Sequence, residues 1–190
     1  MPRWSPDARE RLLAAALQLF AERGYDATTV AEIAERAGLT KATFFRHFPD
    51  KREVLAAGQE TLSRLLSEGI ASAPAGATPL AAVGAGLERA ATAMTPFNRE
   101  LGPLLRDAIA ASAELQERDA LKRVGLAAAM AHALRRRGVA ETTAILAAEL
   151  GGLAFKEAYA TWIAEGDDQD LGALAGTALD RLRVAAGELS

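Results

Sequence analysis

Residues 29–51 combine hydroxyl, basic and aromatic side chains at helical spacing. At 100° per residue, one face of the stretch 41–48 carries small, hydroxyl and basic groups, namely Ala42, Thr43, Arg46 and His47. The other face carries Phe44 and Phe48, with Phe45 at its edge. A guanidinium suits a bidentate contact to guanine, and threonine or alanine methyl groups suit thymine. The pattern therefore predicts a helix that packs on its aromatic side and contacts base edges with the other.

Two helices joined by a tight turn must position these side chains. Thr29 and Glu32 form a capping-box pattern at the start of the first helix. Gly38 suits the left-handed residue that follows a helix end, and Thr40 is a favoured N-cap for the second helix. This is the arrangement of a helix-turn-helix, whose second helix enters the major groove.

The run from Leu12 to Leu55 resembles the DNA-binding domain of the TetR family of transcriptional regulators. The matching stretches are LLAAALQLFAERGYDATTV, AEIAERAGLTKATFFRHF and PDKREVL. At Phe45 the family usually has a tyrosine whose hydroxyl contacts a phosphate, so we expect one phosphate contact fewer here. Spacing and resemblance together give nine candidates for DNA contact: Thr29, Thr40, Lys41, Ala42, Thr43, Phe45, Arg46, His47 and Lys51. Of these, His47 and Lys51 are placed to hold backbone phosphates.

The resemblance implies a sequence-specific DNA-binding transcriptional regulator. Family members are usually homodimeric repressors that bind a palindromic operator of double-stranded DNA and are released by a small-molecule effector. A regulator that acts independently of ligand, or that activates transcription, is the alternative. An all-α enzyme is a remote alternative, because no catalytic motif surrounds either histidine and no paired ligands stand at metal spacing. We therefore expect no catalytic residue, no metal and no cofactor.

Composition sets the fold class. Half of the 190 residues are hydrophobic and alternating β-branched runs are nearly absent, which predicts an all-α protein of about nine helices. We expect an N-terminal three-helix helix-turn-helix domain at residues 1–50 and an α-helical ligand-binding and dimerisation domain at 51–190. A long helix is expected from Lys51 toward residue 70. The absence of cysteine, of a signal peptide and of a long uncharged apolar run predicts a cytoplasmic protein without membrane contact.

Charge is distributed unevenly along the chain, whose formal net charge is −3. Residues 1–52 hold nine Lys/Arg and seven Asp/Glu, whereas the remainder holds thirteen and eighteen. A mildly basic N-terminal part beside an acidic remainder favours nucleic-acid contact at the N-terminal end. The triplet 135–137 of arginines precedes Gly138, and we interpret it as complementing its own helix dipole rather than binding nucleic acid.

The body of the chain contains no motif, so its sites follow from residue type and from the resemblance. Apolar and aromatic residues that could line a pocket for a small apolar or aromatic effector are Met94, Phe97, Leu105, Met130, Phe155, Tyr159 and Trp162. Ordinary core packing is the alternative for each of them. The last two helices could bury a sustained apolar stripe inside the chain or against a second copy. The resemblance favours the second copy, with the candidate interface Leu150, Gly151, Leu171, Leu174, Ala175, Ala178, Leu179 and Leu182.

Overall fold

A computed structural model describes residues 7–164 and 170–189 of the chain. Within these ranges the protein forms nine α-helices and one short 3₁₀ helix, and the predicted all-α class is confirmed. The α-helices are α1 Ala8–Arg23, α2 Val30–Arg36, α3 Lys41–His47, α4 Gln59–Ser72, α5 Pro79–Ala91, α6 Pro96–Ala111, α7 Ala113–Arg136, α8 Glu141–Ala164 and α9 Leu171–Gly187. None of these described helices is long and apolar enough to cross a membrane.

The helices group into two compact units. The first, which we call the head unit, contains Met1–Ala57 and Leu101–Leu121. The second, the body unit, contains Gly58–Glu100 and Lys122–Ser190. Helices α6 and α7 therefore each contribute residues to both units. The expected boundary after residue 50 stays a prediction, and the structure adds a segment of more distant sequence to the head unit.

The segment after Lys51 differs from the long helix expected there. It forms a 3₁₀ helix at Arg52–Val54 and a turn, and α4 begins only at Gln59. Gly58 interrupts the helix because it adopts a left-handed conformation with φ 79°. Glycine reaches that conformation without the steric cost that a side chain would impose.

The core of the body unit depends on close contact between α4 and α5. Gly69 lies where the two backbones meet, and a Cβ atom added there would stand 2.5 Å from the carbonyl oxygen of Ala85. A Cβ on Gly86 would stand 2.9 Å from the carbonyl oxygen of Leu66. The two glycines allow the helices to approach and to bury Ile70 and the apolar side chains around it.

Arg137 holds the C-terminal end of α4. Its Nη1 donates to the carbonyl oxygens of Ile70, at 3.0 Å, and Ala73, at 2.8 Å, and its Nη2 donates to that of Pro74 at 2.7 Å. Carbonyls at a helix end have no partner within the helix, so a guanidinium satisfies several of them together. Of the three arginines interpreted as complementing the dipole of their own helix, Arg135 and Arg136 lie in the last turn of α7, whereas Arg137 makes its hydrogen bonds to the end of α4.

Replacing Gly69 by alanine should destabilise the body unit. We expect Gly69→Ala to lower the free energy of unfolding by about 1–3 kcal/mol, since the new methyl group must displace backbone atoms of α5. Gly84→Ala is the matched control, because its Cβ would meet only Leu179 Cδ2, at 3.7 Å, and alanine favours the helix. Urea unfolding of both variants measures the difference. Equal stability of the two variants would contradict the close contact at Gly69.

Candidate nucleic-acid interface

Helix α3 is short and is held to the head unit by its aromatic side. Phe44 and Phe48 are fully buried, and their ring centroids lie 5.5 Å apart. Ile33 of α2 and Leu12 of α1 are also fully buried in this unit. The predicted assignment of one inward and one outward face on this helix therefore agrees with the observed burial.

Both predicted caps at the helix-turn-helix are present. The Thr29 hydroxyl accepts from the Glu32 amide at 3.3 Å, and the Glu32 carboxylate accepts from the Thr29 amide at 2.9 Å. The same carboxylate lies 2.8 Å from the Thr29 hydroxyl. At the next helix, Thr40 Oγ1 accepts from the Thr43 amide at 3.1 Å. These hydroxyls fix the two helix starts, and any phosphate contact by Thr29 or Thr40 would be additional to that role.

The turn between α2 and α3 is fixed by Gly38 and by Arg11 of α1. Gly38 has φ 65°, the left-handed conformation predicted for it. The Arg11 guanidinium donates to the carbonyl oxygen of Ala37 and lies 3.5 Å from that of Gly38. A Cβ on residue 38 would lie 2.8 Å from Arg11 Nη2. Sequence reasoning missed Arg11, because its partners are 26 and 27 residues away and no local pattern marks the contact.

The outward side of α3 gathers most of the predicted DNA-contacting residues on one surface. Lys41, Ala42, Phe45 and Arg46 are exposed, and Thr43 and His47 are half-buried. The ring of Phe45 is 48% exposed, although it is apolar. Its edge packs on Phe44 at 5.6 Å, and Lys41 Nζ lies 6.0 Å from its centroid. This surface offers a guanidinium, an ammonium, an imidazole, a hydroxyl and methyl groups to a groove.

Lys51 is tied to the backbone of the loop between α1 and α2. Its Nζ donates to the carbonyl oxygens of Tyr25, at 2.7 Å, and Thr28, at 3.1 Å. The same atom lies 4.0 Å from the centroid of the Tyr25 ring, a favourable cation–π distance. These contacts occupy donors of the ammonium, so Lys51 supports the loop. Its phosphate contact stays a prediction.

A polar cluster joins residues 101–121 to the rest of the head unit. Arg118 binds Glu53 through two parallel hydrogen bonds of 2.9 Å, and both side chains are less than a third exposed. Tyr25 donates to the Glu114 carboxylate at 2.9 Å, and Arg52 lies 3.5 Å from that carboxylate. Burial and the hydrogen bond to Glu114 both raise the pKa of Tyr25 well above its usual value. The phenol therefore remains a hydrogen-bond donor at physiological pH.

Comparison with known proteins identifies the domain to which α1–α3 belong. Residues 12–57 match the sequence model described as bacterial regulatory proteins, tetR family. The match covers about a quarter of the chain, so the likeness to that family is established for this segment. The transcriptional regulator TcmR of Streptomyces glaucescens is 39% identical over 75 residues, which are 40% of this chain. That match spans only 33% of TcmR, so the sequence likeness is confined to part of each chain.

Solved structures extend the likeness to the body of the chain. The chain superimposes on SmeT, solved as a complex with triclosan, with a TM-score of 0.64 and 25% identity, covering 94% of this chain and 90% of SmeT. It superimposes on FadR of Thermus thermophilus, a TetR-family repressor solved with lauroyl-CoA, with a TM-score of 0.54 and 24% identity, covering 92% and 93%. The second likeness concerns the fold alone.

The residues predicted to line an effector pocket divide between the two units. Six of them belong to the body unit, whereas Leu105 belongs to the head unit. Phe155, Tyr159 and Trp162 form a row of rings on α8, and Met130 is buried against Gly151. Met94 and Phe97 are half-buried. The pocket assignment stays a prediction for these residues.

The predicted interface residues on α8 and α9 are largely occupied within the chain. Five of them are buried in the body unit: Gly151, Leu171, Ala175, Ala178 and Leu179. The other three are half-buried against the same core: Leu150, Leu174 and Leu182. Large apolar side chains that these two helices do expose are Ile145, Leu146, Leu153 and Val184. The apolar stripe of α9 thus packs mainly on its own chain, and the interface assignment of these residues stays a prediction.

We expect Arg46→Ala to cost about 1–3 kcal/mol in binding to a preferred DNA sequence and to relax the preference at one base pair. The reason is that Arg46 is the exposed guanidinium on the outward side of α3. Arg64→Ala is the control, since it removes the same charge from an exposed i,i+4 ion pair of α4 in the body unit. Titration against preferred and scrambled duplexes at fixed salt distinguishes the two variants. An equal loss on both duplexes would make Arg46 a phosphate contact instead.

Proposed function

We propose that this protein is a sequence-specific transcriptional regulator that acts as a homodimer on a palindromic operator and is released by a small-molecule effector. The observation that carries the proposal is the outward side of α3, which presents Thr43, Arg46 and His47. The opposite side of this helix is held in the head unit by its buried phenylalanines. The match of residues 12–57 to the TetR family supports it, as does the mildly basic charge of the same end of the chain.

Two head units are needed to discriminate an operator from other DNA sequences. One α3 surface presents few base-reading side chains, and each good bidentate pair contributes about 1–3 kcal/mol of discrimination. That is little against a genome of competing sites. A two-fold dimer doubles the contacts and requires two half-sites about one helical turn or more apart.

The exposed sides of α8 and α9 supply the proposed interface between copies. Leu146 is 60% exposed and Leu153 is 42% exposed, and the two lie seven residues apart on α8. Val184 of α9 is 54% exposed. Apolar side chains in such a set gain stability when a second copy covers them. These exposed residues extend the interface that the resemblance favoured, whose residues on α8 and α9 are mostly buried in their own chain.

Control by a small molecule is proposed from two lines of support. SmeT and Thermus thermophilus FadR, which share this fold, were solved with triclosan and lauroyl-CoA. The body unit itself contains a row of aromatic rings on α8. An effector changes the DNA-binding state only if it binds the two states with different affinity.

Transmission from body to head is proposed to pass through α6 and α7, because these helices contribute residues to both units. Within the head unit, the bidentate pair of Arg118 with Glu53 holds the start of α7 against the segment that follows α3. A helix held in this way carries a displacement better than a flexible loop does. Catalysis forms no part of the proposal.

The test is selection of bound sequences from a random duplex pool with purified full-length protein of measured mass. An enriched palindrome, bound by a dimer, is the expected outcome. Salt-dependent binding without enrichment would overturn sequence-specific control, because it would show only the general attraction to phosphates. Transcription from a promoter carrying the enriched site then shows whether the protein represses or activates.

Leu146→Glu should yield monomers without unfolding the chain. The side chain at position 146 is exposed, so a monomer tolerates a charge there. A dimer interface that covers this position does not, because the charge would be buried without a partner. Leu121→Glu is the control, because it places the same charge on an exposed leucine of α7. Light scattering measures the mass of both. We expect the first variant to lose affinity for the full palindrome and to keep weak half-site binding. A dimeric mass for Leu146→Glu would move the interface elsewhere.

The pair of Arg118 and Glu53 should behave as a unit. We expect Arg118→Met to reduce the free energy of unfolding by about 1–3 kcal/mol, since it leaves a partly buried carboxylate without its charged donors. Adding Glu53→Gln should cost less than the sum of the two single changes. We expect affinity for the full palindrome to fall more than affinity for a half-site. Strict additivity in urea unfolding would mean that the two groups do not stabilise one another.

A further inference from the structure

The aromatic row on α8 consists of Phe155, Tyr159 and Trp162, spaced at i, i+4 and i+7 on one helix face. The rings of Phe155 and Tyr159 lie nearly parallel, at 18°, with centroids 6.3 Å apart. The rings of Tyr159 and Trp162 lie 5.9 Å apart at 44°. Phe155 and Tyr159 are half-buried and Trp162 is buried. The row therefore has an apolar setting and keeps an accessible edge.

One end of the row is already covered. The guanidinium of Arg99 lies 5.6 Å from the centroid of the Trp162 ring, within the range of a cation–π contact. Arg99 thus occupies part of the Trp162 surface. The half-buried rings of Phe155 and Tyr159 form the rest of the row.

The Tyr159 hydroxyl, like the indole N–H of Trp162, makes no hydrogen bond to another described residue. Among the described residues, no hydrogen bond joins its oxygen to another protein atom, and burial raises its pKa to about 12. No fully buried side-chain nitrogen or oxygen in the described part of the chain lacks a partner, so the Tyr159 oxygen keeps access to a water-sized molecule. Tyr25 differs, because its hydroxyl donates to Glu114.

Ring packing at position 159 makes no use of the tyrosine hydroxyl. A phenyl ring would fill the same space, whereas the hydroxyl of a half-buried tyrosine normally finds a hydrogen-bond partner in the protein, in water or in a ligand. The group remains a neutral donor at physiological pH, because its pKa lies well above 7. It therefore suits an acceptor that arrives with a ligand.

We propose that Phe155, Tyr159 and Trp162 form the platform on which the effector stacks, and that the Tyr159 hydroxyl donates a hydrogen bond to an acceptor on that effector. The ligand class is a flat apolar or aromatic molecule with a neutral acceptor, such as a ring nitrogen or carbonyl oxygen, at its edge. This inference rests on the ligand-controlled function proposed above. It assigns the selection of ligands that carry an acceptor to the hydroxyl group of Tyr159.

The experiment uses two probes of equal shape, naphthalene and quinoline, which differ in one ring position. Quinoline carries an acceptor nitrogen where naphthalene carries a C–H group. Dissociation constants are measured by ligand-observed NMR titration with the full-length protein and with Tyr159→Phe, a variant that keeps the ring. Lys156→Gln, an exposed change on the same helix, is the control.

We expect Tyr159→Phe to weaken quinoline binding about two- to tenfold and to leave naphthalene binding unchanged, as loss of one hydrogen bond requires. Phe155→Leu should weaken both probes, since each needs the stacking surface, and Lys156→Gln should weaken neither. An equal effect of Tyr159→Phe on both probes, or no effect on either, would overturn the role of the hydroxyl.

The failure of this inference is distinguishable from failure of the proposed function. If neither probe binds the unmodified protein, the platform is refuted, while an enriched palindrome in the DNA selection would still support the regulator. If the probes bind as expected but no DNA sequence is enriched, the ligand site is supported and the proposed sequence-specific control of transcription is refuted. The two measurements therefore test the ligand site and the DNA specificity separately.

Discussion

A helix of seven residues such as α3 is too short to be stable in water by itself, so the outward surface of α3 depends on the burial of its aromatic side. Phe44 and Phe48 supply that burial, and the Thr40 hydroxyl satisfies the first turn. Arg11 and Gly38 then fix the turn that precedes it. Because every outward side chain takes its direction from this helix, an exposed arginine at position 46 is useful only while the inward rings remain packed.

The body unit depends on a different constraint, which is the close approach of backbones. Small residues at positions 69 and 86 let α4 and α5 touch, and Arg137 then satisfies the carbonyls where α4 ends. Such a core resists compression and transmits displacement. Helices α6 and α7 share their residues between this unit and the head unit.

Much of the head was predictable because its signals are local. The capping box at Thr29, the N-cap at Thr40 and the left-handed glycine at position 38 each involve residues within four positions of one another. The separation of aromatic and polar faces on α3 follows from helical period alone. The long helix expected after Lys51 was wrong, because α4 begins only after Gly58. A glycine can lie within a helix or interrupt it, and the local sequence does not distinguish the two cases.

The sequence by itself determined the all-α class, the helix-turn-helix and the side of α3 that faces outward, because periodicity and caps act over one or two turns. Only the tertiary structure decided that Arg11 fixes the turn, that Lys51 supports a loop and that Arg137 holds the end of another helix. Only the tertiary structure also showed that Leu179 is buried in its own chain while Leu146 is exposed. An apolar stripe has the same period whether its own chain or a second copy covers it, so the choice is made by long-range packing.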